Sequence, residues 1–339
     1  MERLAIITGV GGQDGAYLSK NLLEKGYKVI GLSRRSSVNN LSRLEILGIL
    51  DEVEIISADV QEHHLLQHLI KQNQPDEFYN LAAQSYVVDS FSNPFYTSKV
   101  NAFAVLNILE SIKLFSQKTR FYQASTSEMF GLVSETPQNE ETRFHPRSPY
   151  GFSKLYAHHA TINYRESYDL FACSGILFNH ESPLRGGNFV TKKIVKGLVN
   201  YKNDQERILK LGNLEAQRDW GFAGDYVEAM RLMLSLKAPE DFVVSSGRTK
   251  SVREFCEIVA ELLKINLVWE GSGMKEQGID SRSNKACIKI DEVNFRPADV
   301  HHLLGDSSKA KEILGWSPTV DLEGLAQLMV DYELQNFQE

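Results

Sequence analysis

The chain has 339 residues, 42% of them hydrophobic and 24% charged, a balance that excludes disordered and fibrous architectures. Thirty-seven Lys and Arg against 44 Asp and Glu leave a net charge of −7, which argues against a nucleic-acid partner but leaves room for an anionic ligand held by a few focused arginines. No run approaches the ~18 apolar residues of a membrane span, and the apolar start before Gly9 is too short for a signal peptide, so a chain of about two domains working in the cytoplasm, off the membrane, is expected.

Residues 4–8 (LAIIT) read as the first strand. They run into Thr8-Gly9-Val10-Gly11-Gly12-Gln13-Asp14-Gly15, where Gly9, Gly12 and Gly15 fit G-x-x-G-x-x-G. The tighter G-x-G-x-x-G fails because position 14 is Asp. Between a strand and a helix spanning 17–24, with Gly26 as its stop, such a turn lets backbone approach a pyrophosphate at the helix N-terminus. The second strand, 28–32, ends in Ser33-Arg34-Arg35-Ser36-Ser37 instead of the acid that an NAD site carries there. Guanidinium groups bind a 2′-phosphate that an acid would repel, so the reading is NADP; the blander alternative is a solvated basic loop.

A third strand (54–58) places Asp59-Val60 to meet the adenine. A helix (65–71), a fourth strand (77–81), a helix (102–114) and a fifth strand (119–125) follow. At the end of that strand stand Thr126, suited to bind a substrate oxygen, and Glu128, a carboxylate that simple hydride transfer does not need. Glu128 is suited to take a proton from carbon and protonate a leaving hydroxyl; Ser125 and Glu128 also have the spacing of a helix-capping box. Tyr150-Gly151-Phe152-Ser153-Lys154 is Y-x-x-x-K, beside a helix at 154–168. On a helix the phenol and ammonium are neighbours, and the lysine charge is expected to favour the tyrosinate against its usual pKa near ~10. A strand at 171–178 completes six in a βαβ rhythm, which predicts an α/β fold with a doubly wound parallel Rossmann-type sheet.

After about residue 180 the rhythm loosens. Gly186-Gly187, Gly212-Asn213 and Gly271-Ser272-Gly273 punctuate it, 242–245 is strand-like, and helices are expected at 308–314 and 322–335. Cys173, Cys256 and Cys287 are odd in number and scattered, which argues against a disulfide framework or zinc site and for a reducing compartment. The doublets His63-His64, His158-His159 and His301-His302 read as packing or surface histidines, because adjacent side chains diverge; no metal site is expected.

Together these residues resemble the extended short-chain dehydrogenase/reductase family and, within it, the GDP-mannose 4,6-dehydratases, over nearly the full chain. The resemblance is carried by 8–15, 34–37, YNLAAQS (79–85), FYQASTSEMFG (121–131), PRSPYGFSK (146–154), GILFNHESPLRG (175–186), NFVTKKI (188–194), LGNLEAQRDWGFAGD (211–225) and FRPADV (295–300). It implies NADP contacts from Gly9, Gly12, Gln13, Asp14, Gly15, Arg34, Arg35, Ser36, Ser37, Asp59, Val60, Leu81, Ala82, Ala83, Gln84, Ser85, Tyr96, Lys154, His180 and Arg185. It also implies a GDP-sugar site, with Asn179, Asn188, Lys193, Arg218, Arg296 and Asp299 as candidates.

The domains implied are 1–180 for NADP, with a strand and helix near 219–263 returning to it, and 181–339, a smaller mixed α/β unit mainly for the nucleotide sugar. The activity implied is that of a lyase of deoxysugar biosynthesis, a homodimer or homotetramer that takes GDP-mannose to GDP-4-dehydro-6-deoxymannose. Thr126, Glu128, Tyr150 and Lys154 are its catalytic set. Another GDP-sugar, such as a GDP-manno-heptose, is the alternative substrate. A non-catalytic NADP-binding regulatory protein is the alternative class, and the intact catalytic set argues against it. The segment 38–49, near a subunit contact in such dehydratases, departs from the family pattern, and Asp299 stands where Glu is more usual.

Overall fold

Runs rich in Ile, Val, Phe and Tyr form the centre of the molecule, a computed structural model that describes residues 2–294 and 303–337. The first strands are β1 (Leu4–Thr8), β2 (Lys28–Ser33), β3 (Glu54–Ser57), β4 (Glu77–Asn80), β5 (Arg120–Thr126) and β6 (Ala172–Leu177). They match the six expected strands to within one residue at either end. The later strands are β7 (Asn179–Glu181), β8 (Leu209–Leu211), β9 (Gln217–Phe222), β10 (Phe242–Val244), β11 (Thr249–Ser251), β12 (Leu267–Glu270), β13 (Gln277–Asp280) and β14 (Lys285–Ile290). Helices α1 (Gln13–Glu24), α2 (Ser42–Ile46), α3 (His63–Asn73), α4 (Val87–Ser92), α5 (Pro94–Ser98), α6 (Ala104–Phe115) and α7 (Pro149–Tyr168) belong to the first half. The second half contributes α8 (Val190–Asn203), α9 (Ala223–Ser235), α10 (Val252–Leu262) and α11 (Leu322–Gln335).

The first six strands join β10 in a seven-stranded sheet of order β10-β6-β5-β4-β1-β2-β3, parallel throughout. The chain runs outward from β1 to β3 and returns to place β4 on the other side of β1. A crevice opens at the carboxyl ends of strands where such a sheet reverses direction. Both faces are buried, as a parallel sheet requires. Ile7, Tyr79 and Tyr122 pack with α1 and α9 on one side, and Ile6, Phe78 and Phe121 with α3, α6 and α7 on the other. Met230 and Met233 of α9 are fully buried in the first of these layers. Truncating either to Ala would cost roughly 2–5 kcal/mol, so α9 is integral to the core around the first strands although it lies far along the chain.

The remaining strands make two smaller sheets. One, β12-β13-β14-β8, is covered by α8, α10 and α11, which bury Leu198, Phe255 and Met329. The other, β11-β9-β7, ties the parts together, because β7 follows β6 directly and pairs in parallel with β9. The expected helix at 308–314 is helical and closes in a π-type turn, Ala310–Leu314. Two helices start a full turn or more earlier than expected, α1 at Gln13 and α7 at Pro149. Both extensions bring candidate site residues onto a helix.

Among the described residues no helix is long and apolar enough to cross a membrane, and no group of three or more His, Cys, Asp and Glu could hold a metal ion. The three cysteines are buried free thiols. His158 is buried against Ser125, and burial brings its pKa down to about 4, which fits a neutral packing residue. His301-His302 lie outside the described residues.

Candidate active site

Short polar side chains hold the carboxyl edge of the sheet in register. Thr8 Oγ1 donates to Asn80 Oδ1 (2.8 Å) and accepts from the amides of Leu81 and Ala82, while Asn80 Nδ2 donates to Gln123 Oε1 (2.8 Å). This ladder across β1, β4 and β5 fixes the floor of a cleft of about 650 Å³. At its centre Gly9 turns with φ +70°, and a Cβ there would stand 2.9 Å from the Ala82 amide nitrogen. No side chain caps α1 at Gly12, so the amides of its first turn await an external acceptor.

Of the residues implied for the cofactor, Gly9, Gly12, Gln13, Asp14, Gly15, Arg34, Asp59, Val60, Leu81–Ser85, Tyr96, Lys154, His180 and Arg185 line this cleft. Arg34 reaches across to Tyr96, its NH1 donating to the phenolic oxygen at 2.7 Å. Arg35, Ser36 and Ser37 are exposed and do not line it. Sequence reasoning missed Arg43 and Asn101. Arg43 ties the two loops that frame the cleft, donating to the carbonyls of Leu184 (2.7 Å) and Gly11 (3.0 Å). Asn101, inside a π-type turn at Lys99–Phe103, accepts from the Gln84 amide and donates to Ser153 Oγ. Such turns are frequent at functional sites, but no local spacing announces one.

The catalytic candidates converge because α7 starts against the turn that follows β5. Ser148 caps α7 by accepting from Gly151 N (3.0 Å), and Pro149 occupies its first turn, where a missing N–H does no harm. Gly151 faces that turn closely, and a Cβ on it would stand 2.9 Å from the Glu128 carbonyl oxygen. Thr126 accepts from the Glu128 amide at 3.3 Å, so the capping residue is Thr126; Ser125, with the expected capping-box spacing, bonds His158 instead. Thr126, Glu128, Tyr150 and Lys154 all line the cleft.

Lys154 Nζ donates to the Ala124 carbonyl oxygen at 2.8 Å, and burial lowers its pKa to about 8. Burial pushes the Tyr150 phenol up to about 12, opposed by the hydrogen bond from Thr126 and supported by the Glu128 charge. In the ligand-free chain the phenol therefore moves opposite to the lowering expected from Lys154, because desolvation outweighs the neighbouring charges.

The Gly151→Ala variant is expected to push α7 off the Glu128 turn and lower kcat roughly 10- to 100-fold, as misplacement near an ångström does. Cofactor affinity measured by titration should stay close to wild type.

Candidate substrate residues are spread more widely. Asn179 lines the cleft. Asn188 is exposed, Lys193 donates to Asn294 Oδ1 (2.7 Å), and Arg218 is buried on β9 with NH1 on the Gln217 carbonyl; none of the three lines the cleft. Arg296 and Asp299 lie outside the described residues.

Comparison with known proteins extends this geometry. A family model described as GDP-mannose 4,6 dehydratase matches residues 6–329. A GDP-mannose 4,6-dehydratase of Vibrio cholerae is 46% identical, covering 99% of this chain and 95% of that protein. Those of Arabidopsis thaliana (47%, covering 98% and 87%) and Cricetulus griseus (45%, covering 98% and 92%) are similarly close. Among solved structures, UDP-glucose 4-epimerase of Thermotoga maritima with UDP-glucose superposes with TM-score 0.82 at 23% identity, covering 98% of this chain and 99% of that one. dTDP-glucose 4,6-dehydratase of Bacillus anthracis in complex with NAD gives 0.81 at 21%, covering 98% and 97%. These structures share the fold.

Proposed function

This chain belongs to the GDP-mannose 4,6-dehydratase family, and from that membership we propose that it converts GDP-mannose into GDP-4-dehydro-6-deoxymannose by loss of water, with NADP as cofactor. The observation that carries the reading is the meeting of Thr126, Glu128, Tyr150 and Lys154 in one cleft with the glycine turn and the uncapped end of α1. The cleft suits a dinucleotide: a Cβ would fill the Gly9 turn, the first-turn amides of α1 suit a pyrophosphate, and Arg34, which lines the cleft, offers a cation of the kind a 2′-phosphate needs. Gly9–Gly15, Arg34, Asp59-Val60, Leu81–Ser85, Tyr96, Lys154 and Arg185 would hold it, with His180 beneath.

When bound, the dinucleotide would supply the acceptor for a hydride from C4 and the donor of a hydride to C6. Tyr150 accepts the C4 hydroxyl proton, and Thr126 orients that oxygen. A ketone at C4 acidifies the C5 hydrogen, which Glu128 removes. Glu128 then protonates the departing C6 hydroxyl, and water leaves. The proton held by Tyr150 returns to C5 and completes the product, with no net redox change. Lys154 holds the cofactor ribose and lends positive charge to Tyr150. The test is incubation with GDP-mannose and NADP⁺ under mass spectrometry: loss of one water supports the reading, and an unchanged sugar nucleotide with folded protein defeats it.

NADP over NAD rests on Arg34, the one residue of the 34–37 turn that lines the cleft. The Arg34→Ala variant is expected to bind NADP⁺ about 10- to 100-fold more weakly, the worth of a charge-assisted hydrogen bond, with NAD⁺ binding unchanged. Equal losses for both cofactors would remove the argument. A reducing cytoplasm suits the three buried thiols. A homodimer or homotetramer belongs to the same reading: Phe152 and Tyr156 stand half exposed along an apolar groove beside α6 and α7, and the half-exposed Phe103 ring meets Tyr156, a surface of the kind that assembly covers.

A further inference from the structure

Asp14 is an odd neighbour for a phosphate. It places a carboxylate in the first turn of α1, where the helix end should attract an anion and a fixed negative charge opposes it. The structure shows what offsets that charge. Asp14 Oδ2 lies 2.9 Å from His180 Nε2, and Oδ1 accepts from Gln13 Nε2 at 3.0 Å. On the other side of the ring, His180 Nδ1 lies 2.8 Å from the Phe178 carbonyl oxygen. A carbonyl and a carboxylate only accept, so both ring nitrogens carry protons and the ring is an imidazolium. Gln13 completes the frame, donating to the His180 carbonyl (3.1 Å) and accepting from Ser182 Oγ (2.7 Å).

Burial is the largest single influence and works against both charged forms, yet the partner's charge and the hydrogen bonds together outweigh it. Asp14 falls to about 2, and His180 rises above the ordinary imidazole range. Among the described residues, the charged and titratable groups facing the pair are Arg185, Arg43 from α2, Tyr122 from β5, Tyr150 and Lys154 from α7, and Tyr226 from α9, whose ring stacks on His180 at 4.6 Å. Glu181, next along β7, turns its carboxylate to Thr191 (2.6 Å) and Arg185 (3.0 Å).

We propose that His180 is a positioning residue for the cofactor that acts through Asp14, neutralising the carboxylate in the pyrophosphate turn and, with Gln13, fixing how that turn is presented. Both ring nitrogens are committed within the protein, so the side chain contributes charge and position, with no donor left for the cofactor. The proposal rests on the reading that this turn receives a dinucleotide pyrophosphate. It makes cofactor binding proton-linked. An anion in the cleft favours the charged ring, so the Kd for NADP⁺ holds steady at low pH and climbs by up to about tenfold per pH unit once the free protein's His180 loses its proton.

The test is calorimetric titration of the full chain with NADP⁺ between about pH 6 and 9, for wild type, His180→Gln and the double variant Asp14→Asn/His180→Gln. The single variant leaves Asp14 uncompensated and is expected to bind about tenfold more weakly near neutrality, keeping only the pH dependence that Lys154, brought down to about 8, contributes. The double variant, neutral at both positions, should recover to within about threefold of wild type, a rescue that a merely structural role would not give. Nitrogen-15 shifts of the wild-type His180 ring should report two protonated nitrogens at neutral pH. A neutral ring, a flat wild-type profile, or a double variant no better than the single would overturn the proposal while leaving the dinucleotide reading intact. Failure of NADP⁺ to bind wild type at any pH overturns that reading and this one with it.

Discussion

The Glu128→Gln variant is expected to lose about 10³-fold in turnover of GDP-mannose, the middle of the range for removing a positioned acid–base group, while binding NADP⁺ as wild type does. Glutamine keeps the shape of the side chain, and the backbone of residue 128 is set by the Thr126 cap and the close approach of Gly151, so the site should survive the change. What is lost is the ability to take a proton from C5 and pass one to the C6 hydroxyl. Oxidation at C4 does not need Glu128. The variant should therefore still show the near-ultraviolet absorbance of reduced nicotinamide on mixing with substrate, while solvent deuterium no longer enters C5. Retained deuterium uptake would show that another group moves the C5 proton.

Tyr150→Phe should fail one step earlier. With no phenol to accept the C4 hydroxyl proton, neither reduced nicotinamide nor exchange at C5 should appear, and turnover should fall about 10²- to 10⁴-fold. Folding should be spared, since the ring is buried and its hydroxyl is the only atom removed. The wild-type pH profile carries the same signature. Burial holds the phenol at about 12, so its base form is scarce at neutral pH and grows tenfold with each pH unit; kcat/KM should rise with pH. The rise should end as Lys154, brought down to about 8 by burial, gives up its charge. Tyr150→Phe should abolish the rising limb. A variant that keeps it would place the titrating base elsewhere.

Local periods made much of this molecule legible in advance. The strands of the parallel sheet are short apolar runs buried on both faces, and they read within a residue of their bounds. Tyr150 and Lys154 stand one helical turn apart, and Thr126 and Glu128 flank a strand end, positions that gained meaning only beside the glycine turn and the end of the second strand. Long-range pairing was not legible. Asp14 and His180 are 166 residues apart and Thr8 and Asn80 are 72 apart, distances at which no pattern in the sequence relates two side chains. Helix α8 is disguised by the β-branched Val190, Thr191, Ile194, Val195 and Val199, which lower helix propensity until packing overrides it. The capping-box spacing misleads at Ser125–Glu128 and is genuine at Ser251–Glu254, where both reciprocal hydrogen bonds form at the start of α10. The direction of the Tyr150 shift was missed because a neighbouring charge can be read from sequence, whereas burial cannot.

The path of the chain between its lobes bears on how the enzyme can move. From β6 it crosses into the three-stranded sheet at β7. It returns through α9 and β10 to the central sheet, then crosses again at β11. Side-chain ties brace the returning segment against the central sheet's own helices: Asn21 of α1 bonds Glu228 of α9, and Arg165 of α7 pairs with Asp241 just before β10. Among the described residues, more than one crossing of the chain therefore joins the lobes. A cleft floor tied at several points is expected to hold its shape when substrate enters. That stiffness suits the proposed mechanism, in which the oxidised, unsaturated and reduced forms of one sugar would each meet Thr126, Glu128 and Tyr150 in turn without leaving the cleft.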